Sequence, residues 1–429
     1  MNILFIYPDP LNSTNTLSKK IRRIFFKNLI ATFEALDRVT PQEHSINIID
    51  ERFEKIRFEE EYDLIGISAM TYQAPRAYMI ADEFIKRDKK VVLGGWHPSV
   101  MSEEAKHHAD SVVIGEGEEA WPQLLEDAKQ GTLKQYYRQE TPIDFSAIPF
   151  TNNRKSRRNL SMTKPIEATR GCPNRCSFCA ISNSTGYRVF HTKSIESVIA
   201  EIQATPQKYL LFNDASLTID VDYTKQLFRQ MRTLNKKFFC FGNSNILLKD
   251  EELLSLAYDA GCISWSVGFD SISQESLQGI DKSSNIVNDY KAVIQKLHKF
   301  GMNVTGSFMV GFDTDTPEIF DETIEFICDS DIDSAAFHIL TPFPGTPLFH
   351  MMDTQHRILT KDWGKYDCMN VVFQPKHMTV EDLHNGYLQM YDDFYNSHVV
   401  KIIGRNVTKG FFPLYISIAH SWQVFKKIR

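Results

Sequence analysis

The sequence predicts an α/β protein: a doubly wound, Rossmann-like parallel sheet at the N-terminus, then a partial (β/α)6 barrel, then an aromatic, helical C-terminal segment. Three observations lead there. Short β-rich apolar runs alternate with helical spacing through the first 125 or so residues. The periodicity then lapses across a polar, basic stretch, and a second series of the same kind follows it. The boundaries read as 1–130 for the first domain, 131–163 for a linker, 164–349 for the partial barrel and 350–429 for the C-terminal extension.

In the first series the strands are NILFIYP (2–8), INIID (46–50), DLIGISAM (63–70), KVVLGGWHP (90–98) and SVVIGEG (111–117), with helical patterns at 76–86 and 102–108. Doubly wound sheets bind ligands beyond the carboxyl ends of their strands. The crevice candidates are therefore Thr71, Gly94, Gly95, His97, Gly115 and Glu116. Glycines at such ends also make turns for purely conformational reasons.

The linker contains RKSRR (154–158), read as a solvated loop because no Gly-rich cradle lies near it. The second series places strands at PIEAT (165–169), YLLFND (209–214), KFFCFGNSN (237–245), ISWSVGFD (263–270), NVTGSFMVGF (303–312) and AAFHILTPF (335–343). Helical spacing fills the gaps at 194–204, 223–234, 250–260, 287–300 and 317–328. In a parallel barrel the chemistry sits at the carboxyl ends of the strands.

The 429 residues are 42% hydrophobic and 24% charged, a globular balance, and the net charge of -6 gives no support to a nucleic-acid partner. The N-terminus lacks the basic region of a signal peptide, and no run reaches the roughly 18 apolar residues of a membrane span. The expected location is the cytoplasm, where the seven cysteines stay reduced.

Three of these cysteines, Cys172, Cys176 and Cys179, crowd into GCPNRCSFC just after the first barrel strand. Thiolates at C-x3-C-x2-C spacing suit an iron-sulfur cluster with one iron left open. The same three would make a zinc site with His191, and a closed cluster could draw a fourth thiolate from Cys240, Cys262, Cys328 or Cys368. Those alternatives correspond to a zinc-stabilised binding protein and an electron carrier.

The loop RGCPNRCSFC resembles the hallmark of radical S-adenosylmethionine (SAM) enzymes. The similarity extends through LLFNDASLTID (210–220), VGFDSISQESLQGIDKSSN (267–285), GSFMVGFDTDTPE (306–318) and LTPFPGTPLF (340–349). The segments GGWHPSVMSEEA and VVIGEGEEAW resemble the cobalamin-binding domain that precedes the barrel in one large subgroup. That subgroup includes members resembling anaerobic magnesium-protoporphyrin ester cyclase and those acting on hopanoids.

The resemblance implies a [4Fe-4S] cluster on Cys172, Cys176 and Cys179, whose fourth iron is chelated by SAM, and reductive cleavage to a 5'-deoxyadenosyl radical. It implies that Phe178 packs near cluster and adenine, that Asn213 and Asp214 position the SAM amino group, and that Gly268, Asp270, Ser307 and Met309 hold ribose and adenine. Asp270 stands where many members carry Glu. It further implies cobalamin in the first domain, although the Asp-x-His-x-x-Gly pattern is absent and His97 in GWHPS does not match it. The expected reaction is cobalamin-dependent methylation of an unactivated carbon, with radical rearrangement or oxidative cyclisation as the alternative. The expected partners are a small-molecule substrate, hydrophobic or lipid-like, and a low-potential electron donor such as flavodoxin or ferredoxin.

The C-terminal extension resembles the segment that closes the open side of the barrel in related enzymes. Its last part, KIIGRNVTKGFFPLYISIAHSWQVFKKIR, reads as a helix capping the core, with contact to a membrane surface less favoured because Pro413 interrupts any helix there.

Overall fold

The computed structural model describes residues 1–9, 30–139, 141, 143–145, 148, 162–184, 188–282 and 284–407, with 396–407 as helical backbone only. The RKSRR stretch and Pro413 lie outside the described residues.

Two six-stranded parallel sheets carry the architecture. The first has the order β2-β1-β3-β4-β5-β6, built from β1 (Asn2–Tyr7), β2 (Ser45–Asp50), β3 (Leu64–Ser68), β4 (Lys90–Gly94), β5 (Ser111–Ile114) and β6 (Tyr136–Arg138). Strands such as Ile3–Ile6 and Leu64–Ile67 are buried on both faces, which explains their unbroken apolar runs. Helices Ala31–Val39 and Gly117–Gln130 cover one face around Phe5, Phe33 and Trp121, while helix Ala74–Ile85 covers the other. The sheet runs past residue 130: Tyr136–Arg138 pairs in parallel with Val112–Ile114 inside the stretch read as linker. Three residues amid Lys, Gln and Arg are too short a run to stand out as a strand.

The second sheet, β7 (Thr163–Ile166), β10 (Tyr209–Phe212), β11 (Lys237–Gly242), β12 (Cys262–Asp270), β13 (Asn303–Val310) and β14 (Ser334–Ile339), follows the order β7-β10-β11-β12-β13-β14 and is a partial barrel. A small antiparallel pair, β8 (Thr169–Arg170) with β9 (His191–Thr192), sits beyond the end of β7. Along β13 the residues Thr305, Ser307 and Met309 are half-buried and alternate with fully buried Val304, Phe308 and Val310. The half-buried set faces the barrel interior and the buried set faces the helices.

An open sheet leaves edge groups to satisfy. At β14 the long helix Val380–Val407 does this with tyrosines: Tyr391 Oη accepts from Phe337 N (3.1 Å) and donates to Phe337 O (2.9 Å), and Tyr395 Oη donates to Ala335 O (2.6 Å). Between barrel and final helix, residues 349–372 cross to the first domain, where Phe349, Trp363, Tyr366 and Val372 join the core beside Ala74, Ala77 and Tyr78. Among the described residues no helix is long and apolar enough to cross a membrane.

The end of β7 is held by Asp214, whose Oδ1 accepts from Thr169 Oγ1 (2.6 Å), Thr169 N and Ala168 N (3.2 Å). Burial raises its pKa to about 7 against those hydrogen bonds. The folded value exceeds the unfolded one, so the native state holds an extra proton between about 4 and 7. Stability from this group therefore falls as pH rises through that window, by at most about 1.4 kcal/mol per pH unit. Asp214→Asn is expected to remove this slope, so that the stability gap between wild type and variant narrows from acid to neutral pH in denaturant titrations; a constant gap would refute the assignment.

Helix packing gives a second prediction. A Cβ on Gly386 would lie 2.3 Å from two ring carbons of Phe320, which is itself 6% exposed. Gly386→Ala should lower the denaturation midpoint, with a cost of about 1–3 kcal/mol from forced repacking.

Candidate active site

The three cysteines lie on the loop that leaves β8 and ends in the short helix Ala180–Asn183. Local hydrogen bonds give the loop its shape. Cys179 N donates to Cys176 O (3.1 Å), and Asn183 Nδ2 donates to the carbonyls of Cys176 (3.0 Å) and Cys179 (2.8 Å). Two contacts tie it to the barrel rim: Ser177 N to Ile280 O (3.2 Å) and Leu348 N to Ser177 O (3.0 Å). Phe178 is half-buried against the barrel core.

No disulfide joins the described cysteines, and Cys176 is 7% exposed. Burial pushes Cys172 above the usual thiol range and Cys176 up to about 11; the charge of Cys179 raises both further, and Cys172 adds to the rise at Cys176. The positive group facing them is Lys282, which pairs with Asp270 at the end of β12. Burial would lower the Lys282 pKa; Asp270, Cys176 and Cys179 outweigh it and raise it. Cysteine binds iron only as the deprotonated thiolate, and this ammonium supplies compensating charge. The donor set fits a cluster carried by three thiolates. Among the described residues no three Cys, His, Asp or Glu side chains converge closely enough for a single metal ion. His191 lies on β9 instead, with Nε2 3.8 Å from Glu116 Oε1 and its ring 5.5 Å from that of Phe145. Cys240 and Cys262 face each other across β11 and β12, Sγ to Sγ 3.8 Å, within the barrel core.

The other candidates separate by where their side chains point. Asn213 is exposed at the end of β10, open to the barrel mouth. Asp214, its neighbour, is 2% exposed and committed to Ala168 and Thr169, so its carboxylate faces away from that mouth. Gly268 pairs in register with Ser307, and two residues further along β13 Met309 pairs with His338, so these line the interior at two successive levels of the barrel. Asp270 has φ +64° and is 5% exposed; its carboxylate is turned onto Lys282, while Asn285 Nδ2 holds the carbonyls of Gly268 (2.8 Å) and Phe269 (3.0 Å). Lys282 and Asn285 were not singled out from sequence. They sit twelve and fifteen residues past Asp270, beyond any strand or helix period, and only the quoted GIDKSSN segment drew attention to them.

In the first domain the crevice beyond β3 and β4 collects buried polar atoms with no hydrogen-bond partner: Thr71 Oγ1, Trp96 Nε1 and His97 Nδ1. Orphaned buried groups of this kind ask for a ligand. Gly95, at φ +94°, has no room for a side chain, because a Cβ would lie 2.8 Å from Ser68 Oγ and 2.9 Å from Ala69 N. The glycine thus lets the end of β4 pack closely against β3, and beside it the crevice offers three unused polar atoms, which fits a corrinoid bearing amide side groups. His97 is fully buried, and its Nε2 is 3.4 Å from Glu104, which also accepts from Trp363 Nε1 (3.0 Å) on the C-terminal crossing segment. Gly94 is half-buried at the end of β4. Gly115 N donates to Ser99 Oγ (3.1 Å). Glu116 departs from the crevice expectation: at 3% exposure its carboxylate is taken up by Gln139 Nε2 (2.6 Å) and Arg170 Nη1 (2.9 Å).

Comparison with known proteins agrees with this geometry. Residues 166–327 match the radical SAM superfamily, and residues 30–125 match the B12 binding domain. The chain is 34% identical over 359 residues to bacteriochlorophyllide d C-8(2)-methyltransferase of Chlorobaculum tepidum, covering 79% of each chain. It is 33% identical to the C-12(1)-methyltransferase of the same organism, covering 79% of this chain and 76% of that one. Among solved structures, the fold resembles TsrM from Kitasatospora setae, a radical SAM methyltransferase, at TM-score 0.65 and 17% identity, covering 82% of this chain and 78% of that one. It also resembles the cobalamin-dependent SAM radical enzyme OxsB at TM-score 0.69 and 14% identity, covering 98% and 70%. With its three-thiol loop, its partial barrel and its N-terminal B12 binding domain, the chain belongs to the radical SAM superfamily, in the group of cobalamin-dependent enzymes.

Proposed function

We propose that this enzyme methylates an unactivated carbon of a hydrophobic small molecule, with a tetrapyrrole as substrate class. The observation that carries the reading is the similarity to two tetrapyrrole methyltransferases, each matched over 79% of this chain, a span longer than the barrel alone. Cys172, Cys176 and Cys179 would hold the cluster, and the crevice at Thr71, Gly95, Trp96 and His97 would hold the corrinoid. Bound there, the cluster would supply an electron for reductive cleavage of SAM, and the cobalamin would supply methyl-transfer chemistry.

The chain's own residues position and shield. Asn213 lies open at the barrel mouth, where it suits the SAM amino group. Ser307 and Met309 offer a hydroxyl and a flexible apolar side chain on the interior face, matched to ribose and adenine. Asp214 acts indirectly, by fixing the backbone that leads into the loop. The crossing segment around Trp363 covers the first domain and limits water entry. The electron donor is a low-potential flavodoxin or ferredoxin, and a cluster loop that needs its cysteines reduced suits the cytoplasm.

Two measurements test this reading. With reductant, SAM, hydroxocobalamin and bacteriochlorophyllide d under anaerobic conditions, the reconstituted enzyme should form 5'-deoxyadenosine, S-adenosylhomocysteine and a product heavier by one methylene unit, and Cys176→Ala should abolish all three. Formation of 5'-deoxyadenosine with an unmethylated, rearranged or ring-closed product would contradict methylation. Separately, Thr71→Val and His97→Ala should each weaken hydroxocobalamin binding about tenfold, as expected for one lost buried hydrogen bond, with iron content unchanged. Equal corrinoid affinity in both variants would refute the crevice assignment.

A further inference from the structure

The two cofactor sites belong to different domains, yet a single buried side chain connects them. Arg170, 5% exposed, lies two residues before Cys172. Its guanidinium grips Glu167 with two bonds, Nε to Oε1 (2.9 Å) and Nη2 to Oε2 (2.7 Å). Its Nη1 reaches across the domain boundary to Glu116 Oε1 (2.9 Å) and Glu118 Oε1 (2.8 Å). The ring of Phe145 lies 4.5 Å from its central carbon. Glu116 stands at the carboxyl end of β5, and its other oxygen is fixed by Gln139. From there the contacts continue into the crevice: Gly115 N donates to Ser99 Oγ, which donates to Gly95 O (2.7 Å).

We propose that Arg170, with Glu116 and Glu118, is a positioning device that sets the distance and orientation between the cluster loop and the corrinoid crevice. This rests on the cobalamin-dependent reading above and extends it. One guanidinium among two buried carboxylates and a half-buried third is a costly way to gain stability, since well-packed apolar residues often do as well or better. What the fork gives is direction: five N–H donors in a rigid plane fix Glu167 of the barrel and Glu116 and Glu118 of the first domain in one geometry. A lysine carries the charge and cannot make both bridges. Further ion pairs, Arg38 with Glu201 and Lys164 with Glu34, cross the same boundary further from the cluster, so loss of the fork should shift the domains and not separate them.

The test uses Glu118→Gln and Arg170→Lys in the full chain. With cluster and hydroxocobalamin loaded and reduced, the wild-type cob(II)alamin EPR signal should be broadened by the nearby paramagnetic cluster, and both variants should change that broadening while iron and corrinoid content per chain stay at wild-type levels. A merely stabilising role would lower the melting temperature and leave the line shape unaltered, and that result would overturn the proposal. If wild-type protein takes up no corrinoid, the cobalamin reading itself fails. Hydrogen exchange on the cofactor-free chain still tests the joint in that case: segments 111–118 and 169–171 should lose protection together by about tenfold in both variants, and unchanged exchange in either segment would refute it.

Discussion

Everything at the centre of this molecule depends on presenting the carboxyl ends of two parallel sheets to a common region, and the buried guanidinium of Arg170 is where they meet. Burial would raise the Glu167 carboxyl, but Arg170 overrides it and holds that pKa below the usual range. The neighbouring Lys193, 3% exposed and 4.9 Å from the Phe145 ring, is pushed down by its own burial. Charges taken this far from water require fixed partners, and fixed partners impose geometry on the chain that carries them. Here that chain runs directly into the three-thiol loop.

A second, apolar connection works from the other side. The stretch 349–372 leaves the barrel and places Trp363 and Tyr366 against the helix Ala74–Ile85, with Trp363 hydrogen-bonded to Glu104 beside His97. The final helix then returns to seal β14 with tyrosine hydroxyls. The C-terminal extension thus serves both domains: it buries apolar surface on the first and satisfies edge groups of the second. A polar joint near the cysteine loop and an apolar strap on the other side together fix the two domains.

Much of the fold was legible in the sequence because doubly buried parallel strands are continuous apolar runs, and runs such as VVLG and FMVGF need no tertiary information to be seen. Tyr136–Arg138 was not, since its pairing with β5 comes from context. The three thiols were legible because metal chemistry demands short spacing. Side-chain direction was not legible. Position at a strand end told where Glu116 and Asp214 lie, but their carboxylates turn onto Arg170 and onto the Thr169 backbone, partners more than forty residues away in sequence. Arg170 itself stood inside the quoted loop and gave no signal, because an arginine beside a metal-binding motif reads the same whether it is solvated or forms a buried bridge to another domain.

The most direct measurement of the central claim, that three thiolates leave one iron for SAM, is the low-temperature EPR spectrum of the reconstituted, dithionite-reduced enzyme before and after SAM is added. The account predicts a cluster signal whose g-values shift when SAM binds, with the signal absent in Cys172→Ala. A cluster signal indifferent to SAM, or a protein that retains zinc and no iron, would contradict it.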